Sequence, residues 1–220
     1  MEVKIEEQVI SKKRVLDHGE VFTNKREVNA MLDLVKQETE RIESRFLEPA
    51  CGTGNFLVEI LGRKLQVVET RYAKNQVEYE RYAVLAVSSI YGIDILQDNA
   101  IACRERLFEI FNQPYTIIYS DKSQEKCRQA VKYILDRNII WGNALTLKTI
   151  GENSQPITFS EWSPVNSNML KRRDFTFKEL LSHASIQELP LFSDLGEDVF
   201  LPDPVKEFPL IHFMRVADAE

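Results

Sequence analysis

The chain has 220 residues and a mass of 25.5 kDa, the size of one large domain or of one domain with an elaboration. Hydrophobic residues at 44% and charged residues at 28% sit near the soluble globular average, which excludes collagen-like, coiled-coil and disordered chains. The net charge of −6 is uneven, because residues 181–220 hold eight acids against Lys206 and Arg215 while the rest is neutral, so composition reveals no basic nucleic-acid footprint.

The first 150 residues alternate helical and strand-like patterns, as α/β proteins do. Val28, Met31, Leu32 and Val35 follow i, i+3, i+4, i+7 spacing and predict a helix with one apolar stripe. Arg45 to Ala50 (RFLEPA) predicts a short strand, followed by the glycine turn CGTG and a helix, NFLVEILGRKL. From Gln76 the pattern through Tyr82, Leu85 and Ala86 predicts a helix that feeds the strand-like run SSIYGIDI. Asp98 can cap the next helix, with Ile101, Leu107, Phe108 and Phe111 as its buried face. Gln124 to Asp136 predicts a further helix, and NIIWGNAL a strand that leaves through Gly142 into a loop. With right-handed crossovers this order gives a parallel sheet, and ligands bind beyond the carboxyl ends of its strands.

No apolar run approaches the roughly 18 residues of a membrane span, and the start, MEVKIEEQVISKKRV, lacks the apolar core of a signal peptide. A cytoplasmic location without membrane attachment is expected. Cys51, Cys103 and Cys127 are odd in number and far apart, and His18, His183 and His212 stand alone, so neither a disulfide framework nor a metal site is expected. The acidic tail holds Pro190, Pro202, Pro204 and Pro209 together with Leu189, Leu191, Phe192, Phe200, Phe208, Leu210, Ile211 and Phe213. That is more apolar surface than a free tail carries, so it is expected to pack in extended form on the core or on a partner.

Gly19, Gly52, Gly54, Gly92 and Gly142 lie at or beside strand-like segments, where glycine permits positive φ and close approach of backbone to a ligand. A glycine turn that opens a helix also presents unpaired N–H groups suited to an anion. The full stretch FLEPACGTGNFL resembles the first motif of S-adenosyl-L-methionine-dependent DNA methyltransferases, especially the N6-adenine enzymes of bacterial restriction-modification systems. The resemblance continues in order. GEVFTNKREVNAML (Gly19 to Leu32) is similar to their N-terminal motif, with Asn24 where proline is usual; YGIDI (Tyr91 to Ile95) to their acidic second-strand motif; and IIWGNAL (Ile139 to Leu145) to the third.

The resemblance implies a Rossmann-like α/β fold, a mostly parallel sheet with helices on both faces, over residues 1–165, and an irregular C-terminal extension over 166–220. It implies S-adenosyl-L-methionine as cofactor. Gly52 and Gly54, with Ala50 between Glu48 and the loop, would pass close to the methionine part, and Glu48 would face its amino end. Asp94, beside Ile95, would accept both ribose hydroxyls. Asn143, beside Ala144, would accept the adenine amino group through its amide oxygen, where the family more often has Asp. Phe22 and Thr23 would close the pocket.

Methyl transfer to adenine also requires the base to be flipped and held, which the family does with an Asn/Asp/Ser-Pro-Pro-aromatic tetrapeptide. No intact copy is present. Asn112-Gln113-Pro114-Tyr115 (NQPY) keeps three residue types but precedes the third motif, whereas Ser163-Pro164-Val165-Asn166 (SPVN) stands at the right place but lacks the second proline and the aromatic. Position favours Ser163 and Pro164 as the catalytic candidates. Lys171-Arg172-Arg173, with Phe175 and Phe177 nearby, could touch phosphates or bases, or form a solvated loop. The expected function is therefore a cofactor-binding domain or subunit of a DNA modification enzyme, meeting DNA through a second methyltransferase or specificity polypeptide. The alternatives are a noncatalytic interaction or regulatory module and a methyltransferase with a small-molecule or protein acceptor.

Overall fold

The computed structural model describes residues 11–166, 168–187 and 202–218. Three short helices come first, α1 (Lys12–His18), α2 (Lys25–Asp33) and α3 (Lys36–Glu40), before strand β1 (Phe46–Glu48). Two helices, α4 (Asn55–Tyr72) and α5 (Gln76–Ser88), lead to β2 (Ile90–Asp94). Two more, α6 (Gln97–Tyr119) and α7 (Glu125–Asn138), lead to β3 (Ile139–Asn143) and the short β4 (Lys148–Thr149). Among the described residues these are followed by β5 (Thr158–Asn166), β6 (Met169–Thr176), α8 (Phe177–Gln187), β7 (Lys206–Glu207), β8 (Ile211–His212) and a 3-10 helix over Phe213–Asp218, and a short 3-10 turn, Ser120–Lys122, separates α6 from α7.

The first sheet has the order β1-β2-β3-β4, with the first three strands parallel and β4 antiparallel to β3. Phe46 pairs with Ile90 and Gly92 with Ile139, so the strand ends Glu48, Asp94 and Asn143 lie at one rim. Both crossovers step across the sheet in the same direction. Right-handed connections then place their helices on the same face, and α4 to α7 do bury Ile90 and Ile139 together in one apolar core. The opposite face is covered differently: Tyr91 and Ile93 pack against Ile157 and Phe159 and against Phe177 and Leu180 of α8, so hairpin residues share that face with one helix.

Residues after 166, expected to be irregular, contain regular structure. β5 and β6 form an antiparallel hairpin, and β7 and β8 each pair with β6. The 3-10 helix buries Phe213 and Val216 in the main core. Phe208 is buried, Leu210 exposed, and Leu189, Leu191, Phe192 and Phe200 lie outside the described residues. Arg172, read as either a phosphate or base contact or part of a solvated loop, is only 1% exposed. It donates to Asp174 and to the Tyr133 hydroxyl, with the Phe208 ring 3.9 Å from its guanidinium carbon. Lys171 pairs with Glu207 and Arg173 with Glu161, while Phe175 and Phe177 are buried.

Helix patterning shifts in detail. Val28 and Leu32 are buried, but Met31 is exposed on α2 itself, and Val35 is exposed beyond the end of the helix at Asp33. Leu107 and Phe111 are buried and Ile101 exposed. The N-cap of α6 is Leu96, so Asp98 sits in the first turn rather than at the cap. NQPY lies inside α6, where Tyr115 is fully buried and donates its hydroxyl to Glu80. A segment locked in a helix cannot form a base-holding loop.

Candidate functional site

A cleft of about 540 Å³ opens at the carboxyl ends of β1, β2 and β3, within the usual range for small-molecule sites. Four separate stretches line it: Gly19 to Thr23, Glu48 to Gly52 with Asn55 and Phe56, Asp94 to Leu96 with Asn99, and Gly142 to Leu145. Nine of the ten residues expected to hold a cofactor meet there: Phe22, Thr23, Glu48, Ala50, Gly52, Asp94, Ile95, Asn143 and Ala144.

Gly54 does not line the cleft. It is the N-cap of α4 at φ +88°, and a Cβ there would stand 2.6 Å from the Cys103 sulfur, so its lack of a side chain lets α4 and α6 close on one another. Gly52, at φ +53°, permits a different approach, since a Cβ would stand 2.9 Å from the Phe22 ring. Ser163 and Pro164 lie within β5, outside the cleft. The Ser163 hydroxyl donates to Glu161, and Pro164 is opposite Leu170 of β6.

The glycine turn is held from three sides. The Gly52 N–H donates to Asp94 Oδ2 at 2.8 Å. Arg106 of α6 donates to the Thr53 carbonyl at 2.7 Å and to Asn55 Oδ1 at 2.7 Å. Asn55 in turn donates to the Thr23 carbonyl at 2.9 Å, which pins the Phe22-Thr23 stretch over the turn. Below them α4 begins, with the unpaired first-turn amides common to helix N-termini.

Asp94 is 7% exposed. Its Oδ1 accepts from the Leu96 N–H at 2.8 Å and from Asn99 Nδ2 at 3.2 Å. Asn99 Nδ2 also donates to Glu20 Oε1 at 2.7 Å, and Arg14 holds Glu20 with a two-pronged ion pair at 2.6 and 2.7 Å. Burial works to raise the Glu20 pKa, but the hydrogen bonds from Arg14 and Asn99 outweigh it and hold the carboxyl below its ordinary value. Glu48 differs. Burial raises its pKa, and the Ala50 N–H at 3.3 Å is its counterweight.

Asn143 departs from the expected arrangement. Its Oδ1 accepts from the Leu145 N–H at 2.8 Å and the Thr146 N–H at 3.2 Å, closing its own turn. Both lone pairs of that oxygen are committed, so the amide group left for a ligand is the Nδ2 donor. Sequence reading also missed Glu20, Asn99, Asn55 and Arg14. Glu20 adjoins Gly19 inside a motif already singled out, and Asn99 follows Asp94 by little more than one helical turn, so both had a local signal; Arg14 had none.

A mostly parallel sheet with helices packed on it and a cleft at its strand ends, walled by acidic residues and glycines, is compatible with a methyltransferase fold. The family model for the MmeI DNA-methyltransferase domain matches residues 21–154, more than half of the chain. The chain belongs to this family of restriction-modification DNA methyltransferases. No curated protein and no solved structure matched it.

Proposed function

We propose that this chain is the S-adenosyl-L-methionine-binding part of a DNA N6-adenine modification enzyme of Rossmann-like fold, acting in the cytoplasm with a second polypeptide. One observation carries the reading: motif residues from four stretches of sequence converge on one cleft inside the family-matched region. The residues present suit the group. Among the described residues no cation pairs with Glu48, and its carboxylate would face the positively charged methionine end. The N-terminal turn of α4 suits its carboxylate, and Asp94 has acceptor capacity for the ribose. Phe22 and Thr23 would cover the bound molecule and exclude water. The cofactor, when bound, supplies an electrophilic methyl group.

The need for a second chain rests on what does not reach the cleft. NQPY is helical, SPVN is strand, and the charges of Lys171, Arg172 and Arg173 are each paired. Holding a flipped adenine must offset a few kcal/mol of unstacking, and neither tetrapeptide brings to the cleft the aromatic stack that would contribute about 1–3 kcal/mol. The same observation favours the second reading, a noncatalytic module that keeps the cofactor-type fold.

Titration calorimetry with S-adenosyl-L-methionine and S-adenosylhomocysteine tests the first step, with Kd values at or below micromolar expected, about −8 kcal/mol or tighter. No heat and no thermal shift at millimolar ligand would leave the noncatalytic module. Tritiated methyl incorporation into DNA lacking adenine methylation tests the second step, with incorporation expected only when the neighbouring gene product is added. Robust incorporation by the isolated chain would refute the requirement for a partner.

A further inference from the structure

The acceptor positions around Asn99 point to a division of labour in the cleft. Asp94 Oδ1 receives two hydrogen bonds, from Leu96 N–H and Asn99, whereas Oδ2 receives one, from Gly52. Glu20 Oε1 also receives two, from Arg14 Nη2 and Asn99, whereas Oε2 receives one, from Arg14 Nε. Each carboxylate oxygen offers two lone pairs. Among the described residues, Asp94 and Glu20 are thus each left with one oxygen carrying one open position, and both line the same cleft.

A single open position on Asp94 Oδ2 takes one hydroxyl well and a second poorly, contrary to the expectation that Asp94 alone accepts both. The neighbouring carboxylate offers the other position. The two hydrogens of Asn99 Nδ2 go to one acid each, at 2.7 and 3.2 Å, so this amide sets the spacing of the pair. Two like charges held this close repel one another unless a cation compensates them. Arg14 does so, paired with Glu20 and also with Asp98 at 2.5 Å, which fastens α1 to the start of α6.

We propose that Glu20 and Asp94 form a two-carboxylate clamp for a vicinal diol, one hydroxyl to each acid, with Asn99 and Arg14 as positioning residues. The inference rests on the cofactor reading above, in which the diol is the ribose of the adenosyl group. It assigns Glu20 a contact with the ligand, and it gives Arg14, outside every motif, a role in affinity.

The test is calorimetry of the whole chain with S-adenosylhomocysteine and its 2′-deoxy and 3′-deoxy analogues. A hydrogen bond to a charged group is worth roughly 1.5–3 kcal/mol, about tenfold or more in Kd, so the wild-type chain should bind each deoxy analogue about tenfold more weakly. In Glu20→Ala the discrimination against one analogue should vanish while that against the other persists. In Asp94→Ala the pattern should reverse, and Arg14→Ala or Asn99→Ala should weaken the discrimination that depends on Glu20. A merely structural role for Glu20 would lower affinity for all three ligands equally, which would overturn the clamp. So would retention of both discriminations in Glu20→Ala, the result if Asp94 takes both hydroxyls. Glu20→Met, which keeps the side chain's length and offers no oxygen acceptor, is read by the same criteria if the alanine variant does not fold. A wild-type chain that binds none of the three ligands overturns the cofactor reading together with the clamp. Wild-type binding with unchanged discrimination in the Glu20 variants overturns the clamp alone.

Discussion

Gly52 and Asp94 are 42 residues apart in sequence and joined by one hydrogen bond of 2.8 Å, from the backbone of the glycine turn to the carboxylate at the end of β2. The contact makes the shape of the turn depend on a side chain from the neighbouring strand. Asp94→Ala removes an acceptor for Gly52, Leu96 and Asn99 at once. Each of those hydrogen bonds to a charged group contributes about 1.5–3 kcal/mol when broken singly. The expected outcome is loss of S-adenosylhomocysteine binding by at least about tenfold and a lower urea midpoint, both measurable on the purified variant.

Gly54→Ala should destabilise the chain through two separable effects. The left-handed conformation costs about 1–2 kcal/mol for any residue with a Cβ, and the new methyl group meets the Cys103 sulfur at 2.6 Å. Overpacking of this kind costs about 1–3 kcal/mol. In a Cys103→Ala background the second effect should disappear, so the cost of Gly54→Ala should fall to that of the backbone alone. Equal costs in both backgrounds, measured by denaturant titration, would show that α6 does not constrain the turn.

Asn143→Asp should tighten binding of the adenosyl ligand severalfold. One carboxylate oxygen can keep the Leu145 and Thr146 N–H bonds, and the other then faces the cleft as an acceptor where Asn143 offers a donor. Calorimetry with S-adenosylhomocysteine and its inosyl counterpart checks the sign. The aspartate should favour the amino-bearing purine, and the native asparagine should favour it less.

Lys64 predicts a pH dependence of stability. Its ammonium is fully buried and donates to the Ile42 and Ser44 carbonyls and to Ser89 Oγ, and burial pulls its pKa down to about 7. In the unfolded chain the ordinary value is about 10.4. Between these values the unfolded state binds more protons, so stability rises with pH from about 7 upward. The destabilising contribution is present in full below pH 7. Urea midpoints at pH 7 and pH 8.5 should therefore increase for the wild type and stay level in Lys64→Met. The window closes near pH 9, where buried Tyr79, Tyr91, Tyr115 and Cys127, whose pKa values burial raises, begin to act in the opposite sense.

The parts of the fold written in short stretches were legible in the sequence. FLEPACGTGNFL reads as strand, turn and helix because glycine conformation and apolar spacing are local properties, and the structure has β1, the turn and α4 there. SSIYGIDI and IIWGNAL likewise contain β2 and β3. That the hairpin and α8 share the second face of the sheet was not legible, because it follows from chain pairing far along the sequence, a tertiary property. Arg14 escaped notice for a similar reason, since its ion pair with Asp98 spans 84 residues. Asn143 was read by residue type, whereas the turn that follows decides which end of its amide faces outward.

The family match ends at residue 154, but the side chains that cover Tyr91 and Ile93 begin at Ile157 and continue to Phe177. The matched stretch is therefore not a unit that can be expressed alone: cut at its own boundary, it would carry one bare, oily sheet surface into solution and associate through it. For a laboratory choosing where to end a recombinant gene, the hairpin and the start of α8 belong with the cofactor fold.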